Sequence, residues 1–204
     1  MKRNSMKLAF AVTLALCFAA SATAQDITPA ERDKALHYLG DTRNQLVEAV
    51  KGLSEAQWKF KPAPDRWSVA EVVEHLAVLQ DLFVNNLCTQ LKTAPAGRPD
   101  TDVKNLDAII LAKVPDRSTK VQAPDNLVPT GRWTPQASLE RFLDDRRETA
   151  NFLTSGTNLR GHVLNHPALG PLDAYEWVLA VAAHTERHTK QILEVKGDPH
   201  FPRN

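Results

Sequence analysis

The chain has 204 residues, of which 43% are hydrophobic and 24% are charged, and its formal net charge is +1 at pH 7. This composition is typical of a globular protein with one domain and a real core, and it excludes an intrinsically disordered chain. The near balance of charges also excludes the strongly basic surface of proteins that bind nucleic acid, so no nucleic-acid partner is expected.

Residues 1–24 have the features of a secretory signal peptide. Lys2, Arg3 and Lys7 form a positive start, residues 8–20 are apolar, and residues 22–24 offer a small-residue cleavage site. We therefore expect residues 25–204 to form the mature domain, located in the periplasm or secreted, with no stable membrane insertion. An uncleaved amino-terminal anchor is the alternative.

Cleavage at this place would change both the charge and the cysteine content. It would leave 22 basic residues against 24 acidic ones, and Cys88 would be the one remaining cysteine. A single cysteine cannot form an intramolecular disulfide, although the space outside the cytoplasm would permit one. We therefore expect side-chain packing to stabilise the fold, with a bound metal ion as a further contributor.

Four long helical segments are predicted, and strand signals are nearly absent. Apolar residues recur every three or four positions, as on helices that each bury one face. The helices are expected to begin after the N-cap residues Thr28, Ser68, Thr134 and Asp173 and to end near Gly52, Lys92, Gly156 and Val195. The predicted fold is therefore an all-α four-helix bundle.

A long excursion, residues 93–133, separates the second predicted helix from the third. It contains five prolines, and only residues 103–112 within it have the pattern of a short helix. Connections of this length in compact domains are usually functional or mobile. The excursion is therefore interpreted either as a lid over the bundle or as a linker packed against it.

Two histidines in the fourth predicted helix indicate a metal site. His184 and His188 are four residues apart, so both side chains leave the same face, with Cβ atoms about 6 Å apart. Val181 and Ile192 share that face, which places the imidazoles toward the core. His75, beside the apolar stripe of the second helix, can supply a third imidazole. Three neutral imidazoles with an open position are typical of catalytic zinc sites, and a set of hydrogen-bonded core histidines is the alternative.

Three charged residues, Glu71, Glu186 and Arg187, lie near these histidines in the sequence. Glu186 is two residues from both His184 and His188, so it leaves the helix on a side turned away from them and is poorly placed as a general base. Glu71, one turn before the histidine of the second helix, and Arg187 are candidates for residues that support the site. A surface charge on a helix is the simpler interpretation of both.

The remaining histidines are weaker candidates for ligands. His37 is interpreted as a surface or hydrogen-bonded core residue, and His200 lies in a terminal tail flanked by prolines. His162 and His166 lie in the loop before the fourth helix. Because His166 precedes Pro167, its backbone is restricted, and we favour a role in shaping the turn over a ring that projects toward the mouth of the bundle.

Three stretches of the sequence resemble the DinB-like superfamily of metal-binding four-helix proteins, which includes bacterial thiol-dependent transferases. Residues 67–76 combine a Trp-Ser helix start with a histidine, residues 166–172 resemble the loop before the last helix, and residues 177–192 contain paired histidines followed by Gln-Ile. The match extends over roughly residues 29–195, with the motifs in the family's order. It implies that His75, His184 and His188 are the metal ligands.

The resemblance also implies an up-and-down bundle with an unusual helix order, often dimeric, and zinc or nickel as the ion. Some relatives use the ion to activate a small thiol for conjugation, but export would separate this chain from cytoplasmic thiols. We therefore predict an exported metal-binding protein, either a metal-dependent hydrolase or transferase acting on a small molecule, or a non-enzymatic protein that the ion stabilises.

Overall fold

The structure is a computed structural model, and it describes residues 26–97, 103–156 and 158–203; the predicted signal peptide lies outside these residues. The helices are α1 (Pro29–Val50), α2 (Glu55–Lys59), α3 (Val69–Leu82), α4 (Cys88–Leu91), α5 (Val103–Lys113), α6 (Pro135–Ser155) and α7 (Ala174–Lys196). A π-helical segment, Phe83–Leu87, joins α3 to α4, and a short 3-10 helix covers Asp125–Leu127. The predicted mostly helical fold is confirmed.

The four long helices begin at the predicted N-caps. The side chains of Thr28, Ser68, Thr134 and Asp173 each accept a hydrogen bond from the backbone N–H three residues later. In three of these helices the side chain of a glutamate three residues later accepts a hydrogen bond from the backbone N–H of the cap residue, which completes a capping box. These local interactions explain why the sequence pattern located the helix starts to the residue.

Two elements were not predicted from the sequence. The five-residue helix α2 is too short to show a helical period, although Ser54 and Gln57 form a capping box at its start. An antiparallel hairpin, β1 (Val163–His166) and β2 (Gly170–Asp173), occupies the connection that was expected to be a loop. Its strands are too short for an alternating pattern, and Gly170 has a φ of +77°, which glycine adopts without strain.

The bundle consists of α1, α3, α6 and α7, in which α1 and α3 each pack against both α6 and α7. The helices α1 and α7 run in the same direction. Near their amino-terminal ends the Tyr175 hydroxyl donates to the Glu31 carbonyl at 2.9 Å, and near their carboxyl-terminal ends Lys196 donates to the Ala49 carbonyl at 2.6 Å. The first and last helices are therefore parallel neighbours.

The helices α3 and α6 are also parallel, which explains the long excursion. The Gln80 amide donates to the Thr149 hydroxyl at 2.5 Å. Three residues further along the chain in each case, the ring centroids of Phe83, at the start of the π-helical segment, and Phe152 of α6 are 6.1 Å apart. Because α3 and α6 point the same way, the chain that leaves the first must return along the bundle before it can begin the second.

The described part of the excursion packs against the bundle. The helix α5 contacts α7, and Arg117 forms two hydrogen bonds of 2.6 Å with the carboxylate of Glu194. The guanidinium of Arg187 donates to the backbone carbonyls of Asp116 and, at 2.7 Å, Thr119. These contacts hold the described part of the excursion against α7. Within the described residues, no helix has the length and apolarity needed to cross a membrane.

The apolar core has two parts, with polar residues between them along α7. One part surrounds the amino-terminal half of α7 and the other surrounds Ile192 and Val195 near its end. Between them the buried face of α7 carries His188 and the threonines Thr185 and Thr189. These polar residues form a layer inside the bundle, and the candidate site lies in this layer.

Candidate metal centre

His75, His184 and His188 meet inside the bundle, where α3 faces α7. One ring nitrogen of each lies within 4.8 Å of those of the other two. The Nε2 atom of His184 is 3.4 Å from Nε2 of His75 and 3.2 Å from Nε2 of His188. In the part of the chain that the structure describes, this is the one group of three or more side chains that could hold a metal ion.

Hydrogen bonds on the far side of two rings determine where their lone pairs point. Nδ1 of His75 is 2.8 Å from the backbone carbonyl of Leu127, which can only accept, so Nδ1 carries the proton. Nδ1 of His188 is likewise 2.8 Å from Oε1 of Gln191. Both Nε2 atoms therefore direct lone pairs toward His184.

The three imidazoles are held in the neutral form. Burial lowers the pKa of His75, and it lowers the pKa of His184 and of His188 well below the ordinary value. Repulsion among the rings adds to this effect, because a charge on His188 or on His75 further lowers the pKa of His184. Neutral imidazole is the form that binds a metal ion.

The spacing of the nitrogens fits a metal ion. Three ligands at the usual zinc–nitrogen distance in a tetrahedral site lie about 3.3 Å from one another, close to the 3.4 and 3.2 Å found here. A proton on Nε2 of His184 could point to only one neighbour at a time, whereas one cation accepts all three lone pairs. The buried Nδ1 of His184 has no partner among the described residues. The donor set therefore fits a divalent ion that prefers imidazole.

Access to the cluster is limited to one side. Trp67 covers two of the rings, since its ring centroid is 4.9 Å from that of His75 and 6.2 Å from that of His188. His75 is 2% exposed and His188 is 8% exposed, whereas His184 is partly exposed. Solvent or a substrate would therefore approach on the His184 side. The sequence identified Trp67 as part of a helix start, and its place over the histidines was not predicted.

The three charged residues near the histidines in the sequence each form hydrogen bonds or ion pairs with other parts of the protein. Glu71 accepts from the N-cap of α3 and pairs with Lys61 at 3.0 Å. Glu186 accepts from the Tyr38 hydroxyl at 2.6 Å, and Arg187 binds carbonyls of the excursion. These contacts confirm that Glu186 is turned away from the histidines. Glu71 is part of the cap of α3, and Arg187 holds the excursion against α7, so neither is a simple surface charge.

The other four histidines, His37, His162, His166 and His200, are not members of the cluster. The side chains of His37 and His200 are exposed. Nδ1 of His162 bonds the Ala94 carbonyl at 2.7 Å, which connects the start of the excursion to the hairpin. Nδ1 of His166 accepts from the backbone N–H of Ala168 at 3.1 Å, so the predicted role in shaping the turn is confirmed.

Glu74, which precedes the first histidine, was missed by the sequence analysis. It is 3% exposed, and its carboxylate accepts from the backbone N–H groups of Thr130 at 2.8 Å and Gly131 at 2.9 Å and pairs with Arg132 at 3.2 Å. These bonds hold the segment that carries the Leu127 carbonyl against α3. No sequence signal could have found them, because the partners are backbone amides 56 and 57 residues away.

Comparison with known proteins agrees with this fold. YuaE of Bacillus subtilis (strain 168), an uncharacterized protein, is 28% identical over 158 residues, which cover 76% of this chain and 93% of the relative. YfiT from Bacillus subtilis is described as a probable metal-dependent hydrolase with an unusual four-helix bundle topology. Its structure matches with a TM-score of 0.54 at 20% identity, covering 83% of this chain and 88% of that one. The family model of the DinB superfamily matches residues 38–192, which include all three clustered histidines, and the chain therefore belongs to the DinB superfamily.

Proposed function

We propose that this protein is a metal-dependent hydrolase whose ion, zinc or nickel, is held by Nε2 of His75, His184 and His188. The observation that carries the proposal is the convergence of three neutral imidazoles, in which Nε2 of His184 lies from the other two Nε2 atoms at the nitrogen spacing of a tetrahedral site. The description of YfiT as a probable metal-dependent hydrolase supports the reaction class.

The surrounding residues suit this chemistry. His75, His184 and His188 would hold a zinc or nickel ion, which would supply Lewis acidity and make water a nucleophile near neutral pH. Leu127 and Gln191 orient two of the rings, and Trp67 shields them from bulk water. His184 is the partly exposed member of the cluster, so a substrate would reach the ion from its side.

A non-enzymatic protein in which the ion only connects α3 to α7 is the second candidate. Structural zinc sites are closed by four protein ligands, whereas catalytic sites use three and keep one position open. The cluster contains three side chains of ligand type among the described residues. This count favours the hydrolase over the purely structural site.

The first test is the metal content of the purified protein by elemental mass spectrometry. We expect about one ion per chain in the wild type and in His37→Ala, whose exposed ring lies outside the cluster. His75→Ala and His188→Ala should lose the ion and keep a helical circular dichroism spectrum. Full occupancy in both of these variants would refute the site.

The second step measures hydrolysis of 4-nitrophenyl acetate and a panel of small esters and amides. We expect activity that disappears on chelation and returns when the ion is restored. Equal activity without the ion would contradict a metal-dependent hydrolase. A bound ion without activity on any compound of the panel would favour the metal-stabilised, non-enzymatic protein.

A further inference from the structure

The partly exposed histidine of the cluster has an arginine as its neighbour on the helix surface. Arg187 lies three residues after His184 and directly precedes His188. Residues three apart on a helix have Cβ atoms about 5–6 Å from each other, so Arg187 and His184 are side by side on α7. A substrate would approach the ion on the His184 side, and Arg187 therefore lies next to this approach.

The positive charge of Arg187 is not paired with a carboxylate among the described residues. Its guanidinium donates only to backbone carbonyls of the excursion, which include those of Asp116 and, at 2.7 Å, Thr119. Carbonyl groups have no net charge, so these bonds fix the guanidinium without neutralising it. Burial and the charge of Arg117 lower the pKa of Arg187, and the opposite effects of Asp116 and Glu194 do not make up for them.

Two further arginines add positive charge beside Arg187. Arg117 forms two hydrogen bonds of 2.6 Å with the carboxylate of Glu194, and Arg66 lies 3.7 Å from the same carboxylate. The hydrogen bond and charge of Arg117, together with the charges of Arg66 and Arg187, lower the pKa of Glu194. Three guanidiniums thus surround one carboxylate, which leaves this group positive.

The charge of Arg187 acts on the histidine cluster. Burial and repulsion among the rings lower the pKa of His184 and of His188, and the charge of Arg187 lowers the pKa of both further. Charges inside a protein interact more strongly than charges in water, because the effective dielectric constant is lower. A charged ligand at the cluster would therefore also feel the charge of Arg187.

We propose that Arg187 makes the metal centre selective for an anionic substrate, one that has a carboxylate or phosphate group. This inference rests on the proposed function and specifies its substrate class. Three neutral imidazoles leave the charge of a divalent ion uncompensated, and the neighbouring guanidiniums add to it. A negatively charged ligand is therefore attracted to the site by a Coulomb interaction that a neutral ligand lacks.

Three substitutions separate the effect of this charge from the hydrogen bonds of Arg187. Arg187→Gln removes the charge, but its amide can still donate to the Thr119 carbonyl. Arg187→Lys keeps the charge and loses the planar fork. Glu194→Gln removes the carboxylate that offsets the arginines, and its amide oxygen can still accept from Arg117. The charge of Arg187 predicts opposite effects of Arg187→Gln and Glu194→Gln on the binding of anions.

The test uses the cobalt(II)-substituted full-length protein and follows its visible absorption bands at pH 8 during titration with acetate, inorganic phosphate and neutral imidazole. We expect Arg187→Gln to weaken the binding of both anions about tenfold and to leave the affinity for imidazole unchanged. Arg187→Lys should behave like the wild type, and Glu194→Gln should bind both anions about threefold more tightly. The control is Lys190→Gln, which removes an exposed cation of α7 that pairs with Glu186 at 2.7 Å, and it should change none of these affinities.

The outcomes distinguish this inference from the proposed function. Cobalt binding with unchanged anion affinities in Arg187→Gln would overturn the inference alone. Equal losses of anion and imidazole affinity in Arg187→Gln, or equal effects of Arg187→Gln and Arg187→Lys, would also overturn it, because Arg187 would then act through its hydrogen bonds. Failure of the wild type to take up cobalt would overturn the proposed site, and the inference with it.

Discussion

The chemistry of the clustered histidines depends on the hydrogen bonds that two of the rings make away from the cluster. Gln191, one helical turn after His188, accepts from its Nδ1–H, and the Leu127 carbonyl does the same for His75. Such outer partners fix the tautomer and orientation of metal-binding histidines and raise their basicity. The affinity for the ion is therefore a property of these partners as well as of the ligands.

Replacing Gln191 by leucine should expose this dependence. Gln191→Leu keeps a similar volume but removes the acceptor, so the His188 ring loses the bond that fixes its tautomer. We expect the metal affinity to fall about 10- to 100-fold, measured by competition with a chelator of known affinity. Gln90→Leu, at an exposed position near the end of α4, is the control. Unchanged affinity in Gln191→Leu would show that the outer hydrogen bond does not matter.

At the scale of secondary structure, short-range interactions were predictable and long-range ones were not. The starts of α3 and α7 followed from Ser68 and Asp173, because a capping box involves residues three apart. The spacing of His184 and His188 likewise placed both on one helix face. The Leu127 carbonyl could not be predicted as a partner of His75, because every residue has a carbonyl and this one is 52 positions away.

The attachment of the excursion to α3 can be tested at Glu74. Glu74→Gln removes the charge that accepts from the amides of Thr130 and Gly131, and bonds to charged groups contribute about 1.5–3 kcal/mol each. Because glutamine retains one acceptor, we expect the free energy of unfolding in urea to fall by about 2 kcal/mol. Hydrogen exchange of these two amides should become faster.

The matched control for this change is Glu140→Gln, because Glu140 is exposed on α6. It should leave both the unfolding free energy and the exchange rates near those of the wild type. Wild-type protection of the Thr130 and Gly131 amides in Glu74→Gln would mean that another contact holds the segment.

At the scale of the whole molecule, Arg160 connects the bundle, the excursion and the hairpin. It is 6% exposed and pairs with Asp107 of α5 at 2.7 Å, with Glu31 of α1 at 3.1 Å, with the N-cap Asp173 at 3.0 Å and with Glu176 of α7 at 3.8 Å. Four carboxyl groups thus surround one cation. Burial, opposed in part by Arg160, raises the pKa of Asp173 to about 6, and burial together with the charge of Asp173 raises that of Glu176 to about 7.

This excess of acidic groups makes the stability of the fold depend on pH. A carboxyl group with a raised pKa binds more protons in the folded state than in the unfolded state, so its protonation stabilises the fold. For Glu176 this contribution is fully present below the ordinary pKa of 4.5 and is lost as the pH rises through about 7. The free energy of unfolding should therefore fall between pH 4.5 and about 7 because of Glu176. The buried histidines, whose pKa values are lowered, bind fewer protons in the folded state and so make the free energy of unfolding rise with pH.

Glu176→Gln isolates this contribution. Glutamine can keep the hydrogen bond to the Asp173 backbone N–H in the capping box, but it does not titrate. From pH 5 to pH 7.5, we expect the free energy of unfolding of the wild type to fall by about 2 kcal/mol relative to that of Glu176→Gln. Urea denaturation of both proteins at both pH values measures this difference. Since the histidines titrate equally in both proteins, they cancel in the difference. Identical pH dependence in the two proteins would mean that Glu176 is already ionised in the folded state at pH 5, and that Arg160 compensates its charge despite the burial.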